Sequence, residues 1–139
     1  NSEVRGAVLG LTRGTGGDYI VRAGVEAIAY QVAELIGLMQ KETGIRSREM
    51  KVDGGVCACD FLMQLQSDLL NVDICRARSD EMTSMGVGML AGLMVGLFEN
   101  KEELKKLYEP SKVYKPKMSG DEALGLLEGY RGAVKTLIG

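Results

Sequence analysis

Residues 50–61 have the sequence MKVDGGVCACDF. We predict a short strand over residues 49–52, a sharp turn at Gly54 and Gly55, and a helix directly after the turn. Glycine accepts a positive φ and, because it carries no side chain, lets a ligand approach the main chain. The first amides of a helix lack acceptors within the helix and lie at its positive end, which suits a nucleotide phosphate or the neighbouring ribose. Glycine pairs also serve purely structural turns, so the pattern alone leaves both interpretations open.

Predicted strands and helices alternate on both sides of this turn. Before it we predict a strand over 4–11, a loop over 12–18, and a long helix over 18–43 that Asp18 caps and Gly44 ends. After it we predict a helix over 57–70 that Asn71 ends, a strand over 72–75, and an uncharged helix over 82–97. Residues 99–139 are predicted to form a helical tail, with Pro110 and Pro116 bracketing an extended connection and Ser119 capping the last helix. This order predicts an α/β fold with crossover connections.

Two helices carry a regular stripe. In the first, the stripe is apolar and its members recur at spacings of four and three residues: Val21, Val25, Ile28, Val32, Leu35 and Met39. Such spacing places them on one face, as in a helix that packs on a core. In the uncharged helix, Gly88, Gly92 and Gly96 are four residues apart. We predict that this helix comes close to another element or to a ligand, because glycine otherwise weakens a helix.

The composition excludes several classes of protein. The chain has 139 residues, of which 45% are hydrophobic and 26% charged, the balance of one folded domain. The net charge is -2 and no basic block occurs, so we do not expect nucleic acid as a partner. The three cysteines, Cys57, Cys59 and Cys75, do not form a disulfide framework. Because histidine is absent, a mixed Cys/His zinc site is excluded, and we predict no metal site.

The cysteines, read as reduced thiols, the start of the chain and its uncharged segment together predict a cytoplasmic protein. Residues 82–98 contain no charge but are shorter than the ~20 residues that span a bilayer, so we predict a buried helix and no membrane span. The chain opens with Asn1, without a signal peptide or an initial methionine. We therefore expect a fragment or a processed protein.

Several runs of the sequence resemble one family in order and spacing. They are GLTRG at 10–14, EAIAYQ at 26–31, VDGG at 52–55, FLMQLQSD at 61–68, EMTSMG at 81–86, LAGLMVG at 90–96 and GYRGAV at 129–134. The chain resembles the C-terminal domain of the glycerol kinases, which belong to the FGGY carbohydrate kinases. The likeness covers nearly the whole of residues 1–139.

The resemblance implies a fold and a binding site. The fold would be part of a ribonuclease H-like (actin-like ATPase) domain with C-terminal helices, in which the first strands are missing. The nucleotide-binding residues would be Gly54, Gly55 and Cys59, with the main chain of Gly55 contacting ATP or ADP. Cys59 stands where the family commonly has asparagine, and a thiol is a poor hydrogen-bonding group. No catalytic residue is expected in this chain, and Asp53 receives no catalytic role.

The resemblance also implies an activity. The full protein would be a phosphotransferase that uses ATP and Mg²⁺ to convert glycerol to glycerol 3-phosphate, and the present chain would be inactive alone. Glycerol would bind only through an N-terminal domain that this chain lacks. Two alternatives stay open: an FGGY kinase for another sugar or polyol such as a pentulose, or a non-catalytic nucleotide-binding or interaction module. Apolar surface left by the missing parts predicts a homo-oligomer.

Overall fold

The computed structural model describes residues 5–79 and 81–138. The helices are α1 (Gly17–Thr43), α2 (Asp60–Leu70), α3 (Met82–Met94), α4 (Lys101–Lys106) and α5 (Gly120–Ile138). The strands are β1 (Glu49–Val52), β2 (Asp73–Ala77) and β3 (Pro110–Tyr114), and a 3₁₀ turn covers Gly55–Ala58. The predicted alternation of strands and helices from residue 17 to residue 94 is therefore present.

The three strands form one sheet in the order β1-β2-β3. β1 and β2 are parallel, with Glu49 opposite Asp73, and α2 forms the crossover between them. β3 is antiparallel to β2, with Tyr114 opposite Ile74. The extended connection predicted between Pro110 and Pro116 is present and forms β3, although its pairing with β2 was not predicted. Proline is tolerated at the first position of an edge strand, where its missing N–H breaks no ladder.

The core lies between α2 and the sheet. Leu62, Met63 and Ile74 are the largest apolar side chains that are almost fully buried. The buried hydroxyl of Ser67 lies 2.8 Å from the Val72 carbonyl oxygen and 3.0 Å from that of Tyr114. This hydroxyl therefore joins α2 to both the start of β2 and the end of β3. Helix α5 packs on the same core.

Helix α1 buries a different side from the one that its sequence predicts. Ala29 and Ala33 are its buried residues. Four members of the predicted apolar stripe are exposed: Val21 (70%), Ile28 (42%), Leu35 (57%) and Met39 (53%). The prediction that the whole stripe faces the core was therefore wrong, although its member Val25 packs against the core. The small side chains of Ala29 and Ala33 let α1 approach α2 closely.

The predicted strand over 4–11 is also wrong for the part that can be judged. Val4 lies outside the described residues, and residues 5–11 form no strand. Val8, Leu9 and Leu11 are exposed. A strand needs a neighbour for its backbone N–H and C=O groups, and no described strand pairs with this segment.

Most predicted helix ends are confirmed by their backbone geometry. Gly44 ends α1 with φ 70°, and Asn71 ends α2 with φ 52°. The Ser119 hydroxyl accepts a hydrogen bond from the Glu122 amide at 3.2 Å at the start of α5. The prediction that Asp18 caps α1 was wrong, because Gly16 occupies that position and no side chain caps the helix.

The glycine stripe of α3 brings the backbone close to another group at one position. A Cβ at Gly92 would lie 2.6 Å from the Phe98 ring, whereas at Gly88 it would meet nothing within 4 Å. Gly96 lies beyond the end of α3 with φ 76°. Within residues 5–79 and 81–138, no helix is both long and apolar enough to cross a membrane.

Candidate nucleotide site

The turn after β1 depends on the backbone freedom of Gly54. Its φ is 96° and its ψ is 164°, a region that is essentially restricted to glycine. The predicted helix does not follow at once. A 3₁₀ turn over Gly55–Ala58 comes first, then Cys59 with an extended backbone, and α2 begins at Asp60.

Gly55 is exposed, and its own backbone does not require glycine. Its φ lies outside the positive region, and a Cβ placed on it would meet no described residue within 4 Å beyond its chain neighbours. Neither strain nor internal packing therefore explains the absence of a side chain. The position instead offers open space above the main chain, which a ligand could occupy.

Cys57 stabilises the turn through two hydrogen bonds. Its buried thiol donates a hydrogen bond to the Asp53 carbonyl oxygen at 3.0 Å, and its amide donates to the Gly54 carbonyl oxygen at 3.0 Å. The amides of Gly55 and Val56 come before this first hydrogen bond of the 3₁₀ turn. Such leading amides have no acceptor within the helix and can bind an anion or a polar ligand.

Cys59 lies at the far end of the same turn. It is half-buried, precedes α2 as its N-cap, and provides no side-chain cap. Its side chain borders a shallow apolar groove with Val25 and Phe61, and the Arg22 guanidinium lies 5.1 Å from the centre of the Phe61 ring. The structure thus places Cys59 in the same short turn, residues 54–59, as the two glycines.

A polar network beside this turn was missed in the sequence. The Asp60 carboxylate accepts a hydrogen bond from the Lys112 ammonium at 2.7 Å and another from the Tyr114 hydroxyl at 2.6 Å. The Lys112 bond, followed by the Tyr114 bond, lowers the pKa of Asp60 below its ordinary value. Burial, together with the bond to Asp60, raises the pKa of Tyr114.

Residues 1–95 match the C-terminal domain of the FGGY family of carbohydrate kinases. This chain belongs to that family. The FGGY chain is 42% identical to the glycerol kinase of Xanthomonas euvesicatoria over 99% of its own length and 28% of that protein. It is 46% identical to the glycerol kinase of Pediococcus pentosaceus over 94% of its length and 26% of that protein. It therefore spans about a quarter of the length of these relatives.

Solved structures confirm the predicted fold of the FGGY chain, part of a ribonuclease H-like (actin-like ATPase) domain. Glycerol kinase of Plasmodium falciparum, solved with ADP, superposes with a TM-score of 0.89 at 30% identity, over 98% of this chain and 27% of that one. Xylulose kinase of Lactobacillus acidophilus superposes with a TM-score of 0.81 at 26% identity, over 96% of this chain and 27% of that one.

The FGGY chain offers no clustered metal ligands among residues 5–79 and 81–138. No group of three or more histidine, cysteine, aspartate or glutamate side chains could hold an ion there. The carbonyl oxygen of Asp53 accepts the hydrogen bond from the Cys57 thiol.

Proposed function

We propose that this chain is the nucleotide-binding C-terminal part of an ATP-dependent glycerol kinase. The full enzyme would transfer a phosphoryl group from ATP to glycerol and release glycerol 3-phosphate and ADP. The observation that carries the proposal is the position of Gly55, an exposed glycine that opens the 3₁₀ turn directly after β1 and has open space above its main chain. The similar solved structure that contains ADP supports the choice of ligand.

Three residues of the turn, Gly54, Gly55 and Cys59, have distinct roles in the proposed nucleotide site. Gly54 makes the sharp change of direction, and the bare main chain of Gly55 lies against the nucleotide. A hydrogen bond from one leading amide contributes only about 0.5–1.5 kcal/mol, so the affinity would come from several such contacts together. Cys59 borders the bound nucleotide and adds apolar contact, since a thiol hydrogen bond is weak.

The chain would be inactive alone. Glycerol would bind only through an N-terminal domain, and closure of the two domains would exclude water from the transfer. Phosphoryl transfer by kinases uses Mg²⁺, which is held mostly by the phosphates and one or two carboxylates. The described residues form no ligand cluster for this ion. We therefore assign Mg²⁺ to no residue of this chain.

A second candidate is an FGGY kinase for a pentulose, because a xylulose kinase has the same fold at 26% identity. Glycerol is favoured, since relatives named glycerol kinase reach 46% identity. A coupled assay of the full enzyme with glycerol and with xylulose distinguishes the two. Faster turnover of xylulose than of glycerol at equal concentration would show that a pentulose is the substrate.

Self-association and a cytoplasmic location complete the proposal. The exposed apolar side chains of α3, such as Val87 and Leu90, favour burial against a second copy. None of the three cysteines forms a disulfide with another described residue, as expected in a reducing compartment. Light scattering should give at least twice the monomer mass of 15.0 kDa. A monodisperse monomer at working concentration would contradict the oligomer.

An ADP titration of the chain by calorimetry tests the site itself. Gly55→Val places a branched side chain where the nucleotide would lie and should abolish binding. Gly37→Val is the matched control. Gly37 also has open space around its Cβ position, but it lies in the C-terminal half of α1 and not in the turn. Binding by the control and by the unaltered chain, with none by Gly55→Val, supports the proposal. Equal ADP binding by both variants would show that the turn is not part of the nucleotide site.

A further inference from the structure

We propose that Tyr114 and Lys112 are positioning residues that act through Asp60 to hold the start of α2 and, with it, the candidate nucleotide turn. The inference deepens the proposed function and rests on it. These residues would not touch the nucleotide. Their contribution would be to keep residues 55–59 in the arrangement that the ligand needs.

The anchor of this network is rigid. The Tyr114 side chain belongs to the buried core and is only 4% exposed, so packing fixes the place of its hydroxyl. That hydroxyl donates to Asp60 Oδ1 at 2.6 Å, while Lys112 Nζ donates to Oδ2 at 2.7 Å. Both oxygens of the carboxylate are therefore tied to β3. The Lys112 ammonium also lies 4.9 Å from the centre of the Tyr114 ring, which keeps the three groups together.

Asp60 lies at the junction between the turn and α2. It is the first residue of α2, and the preceding N-cap, Cys59, makes no side-chain cap. On the other side, the turn is held by the Cys57 thiol on the Asp53 carbonyl oxygen. Residues 55–59 are thus held from within by the buried Cys57 thiol and after their last residue by the Asp60 network.

The protonation states keep the network in one arrangement near neutral pH. Hydrogen bonds from Lys112 and then Tyr114 lower the pKa of Asp60, so the carboxylate is charged and accepts only. Burial and the Asp60 bond raise the pKa of Tyr114, so its hydroxyl keeps the proton and donates. The positive charge of Arg76 on β2 also lowers the pKa of Asp60 and favours its charged form.

Amide hydrogen exchange by NMR on the 139-residue chain tests the positioning directly. Tyr114→Phe removes the hydroxyl and keeps the packed ring. We expect the amides of residues 57–59 to exchange about tenfold faster, because local opening then costs less. The core amide of Ile74 should keep its rate. Tyr130→Phe is the matched control: it removes a hydroxyl from a ring that stacks on Tyr30, between α5 and α1.

The ADP titration of the same variants links the network to binding. We expect affinity about threefold weaker for Tyr114→Phe, from the loss of one charge-assisted hydrogen bond. Lys112→Arg should retain full affinity, because it keeps the ion pair with Asp60.

Three results would overturn the inference. They are unchanged exchange over 57–59 in Tyr114→Phe, equal acceleration of all amides including Ile74, and unchanged ADP affinity beside faster local exchange. Failure of the unaltered chain to bind ADP contradicts the proposed function instead, and the exchange data still decide whether the network fixes the turn.

Discussion

Helix α2 and helix α1 are both amphipathic in sequence, yet they differ in how much of their apolar surface the protein covers. Leu62, Leu65 and Leu69 of α2 are buried against the sheet. Leu35 and Ile28 of α1 are exposed, although they follow the same helical spacing. The difference shows that periodicity identifies the surface that favours burial, while the partner that covers it must be present in the folded chain.

Helix α3 extends this comparison. It contains no charged residue and should be the most buried helix by composition, yet Val87, Leu90 and Met94 are exposed. Gly92 is the one buried residue of this helix, and it lies beneath the Phe98 ring. The α2 region is therefore the stable centre of this chain, and α1 and α3 present apolar faces around it.

The largest expected effect is a loss of stability in α2, and its absence would contradict the contrast between α2 and α1. Leu62→Ala removes a side chain that is 1% exposed and should lower the free energy of unfolding by about 2–5 kcal/mol. Leu35→Ala, at a position that is 57% exposed, should change it by less than about 0.5 kcal/mol. Urea denaturation measures both. Equal losses would mean that the α1 stripe is buried in solution, as in a tight dimer.

An intermediate effect separates the two glycines of the turn. Gly54→Ala forces a side chain into a backbone region reserved for glycine and should cost about 1–3 kcal/mol of stability. Gly55→Ala should cost little, because its φ is ordinary and its surroundings are open. Thermal unfolding of the two variants compares them. A larger loss for Gly55→Ala would show that this glycine serves packing, not a ligand.

Local features of the fold could be predicted from the sequence, whereas distant contacts could not. The strand before Gly54 and the ends of α1 and α2 at Gly44 and Asn71 depend on neighbouring residues, so the pattern indicates them directly. The choice of Ala29 as the buried side of α1 depends on α2, which the periodicity of α1 does not contain.

The candidate site divides in the same way. The turn itself, with Gly54 and Gly55, was evident from its residues and from the family resemblance. The bond between Asp60 and Tyr114 joins residues 54 positions apart, and no local pattern indicates it. The β3 pairing was missed for the same reason, since Val113 faces Cys75 across the sheet.

The smallest effect concerns pH at the edge of the α2 region. Because the pKa of Asp60 is lowered in the folded chain, its ionised form stabilises the fold above the ordinary aspartate pKa. This contribution is lost as the pH falls below about 4 toward the folded value. Asp60→Asn should therefore differ from the unaltered chain at neutral pH and approach it near pH 3. We would measure urea midpoints across this range; a gap that widens in acid would contradict the assignment.

A crystal structure of the chain grown with ADP tests the central claim most directly. The account predicts ADP against the main chain of Gly54 and Gly55, with Cys59 at its border and the Gly55 Cα in van der Waals contact with the nucleotide. ADP bound at any other surface, with this turn left open, would contradict it.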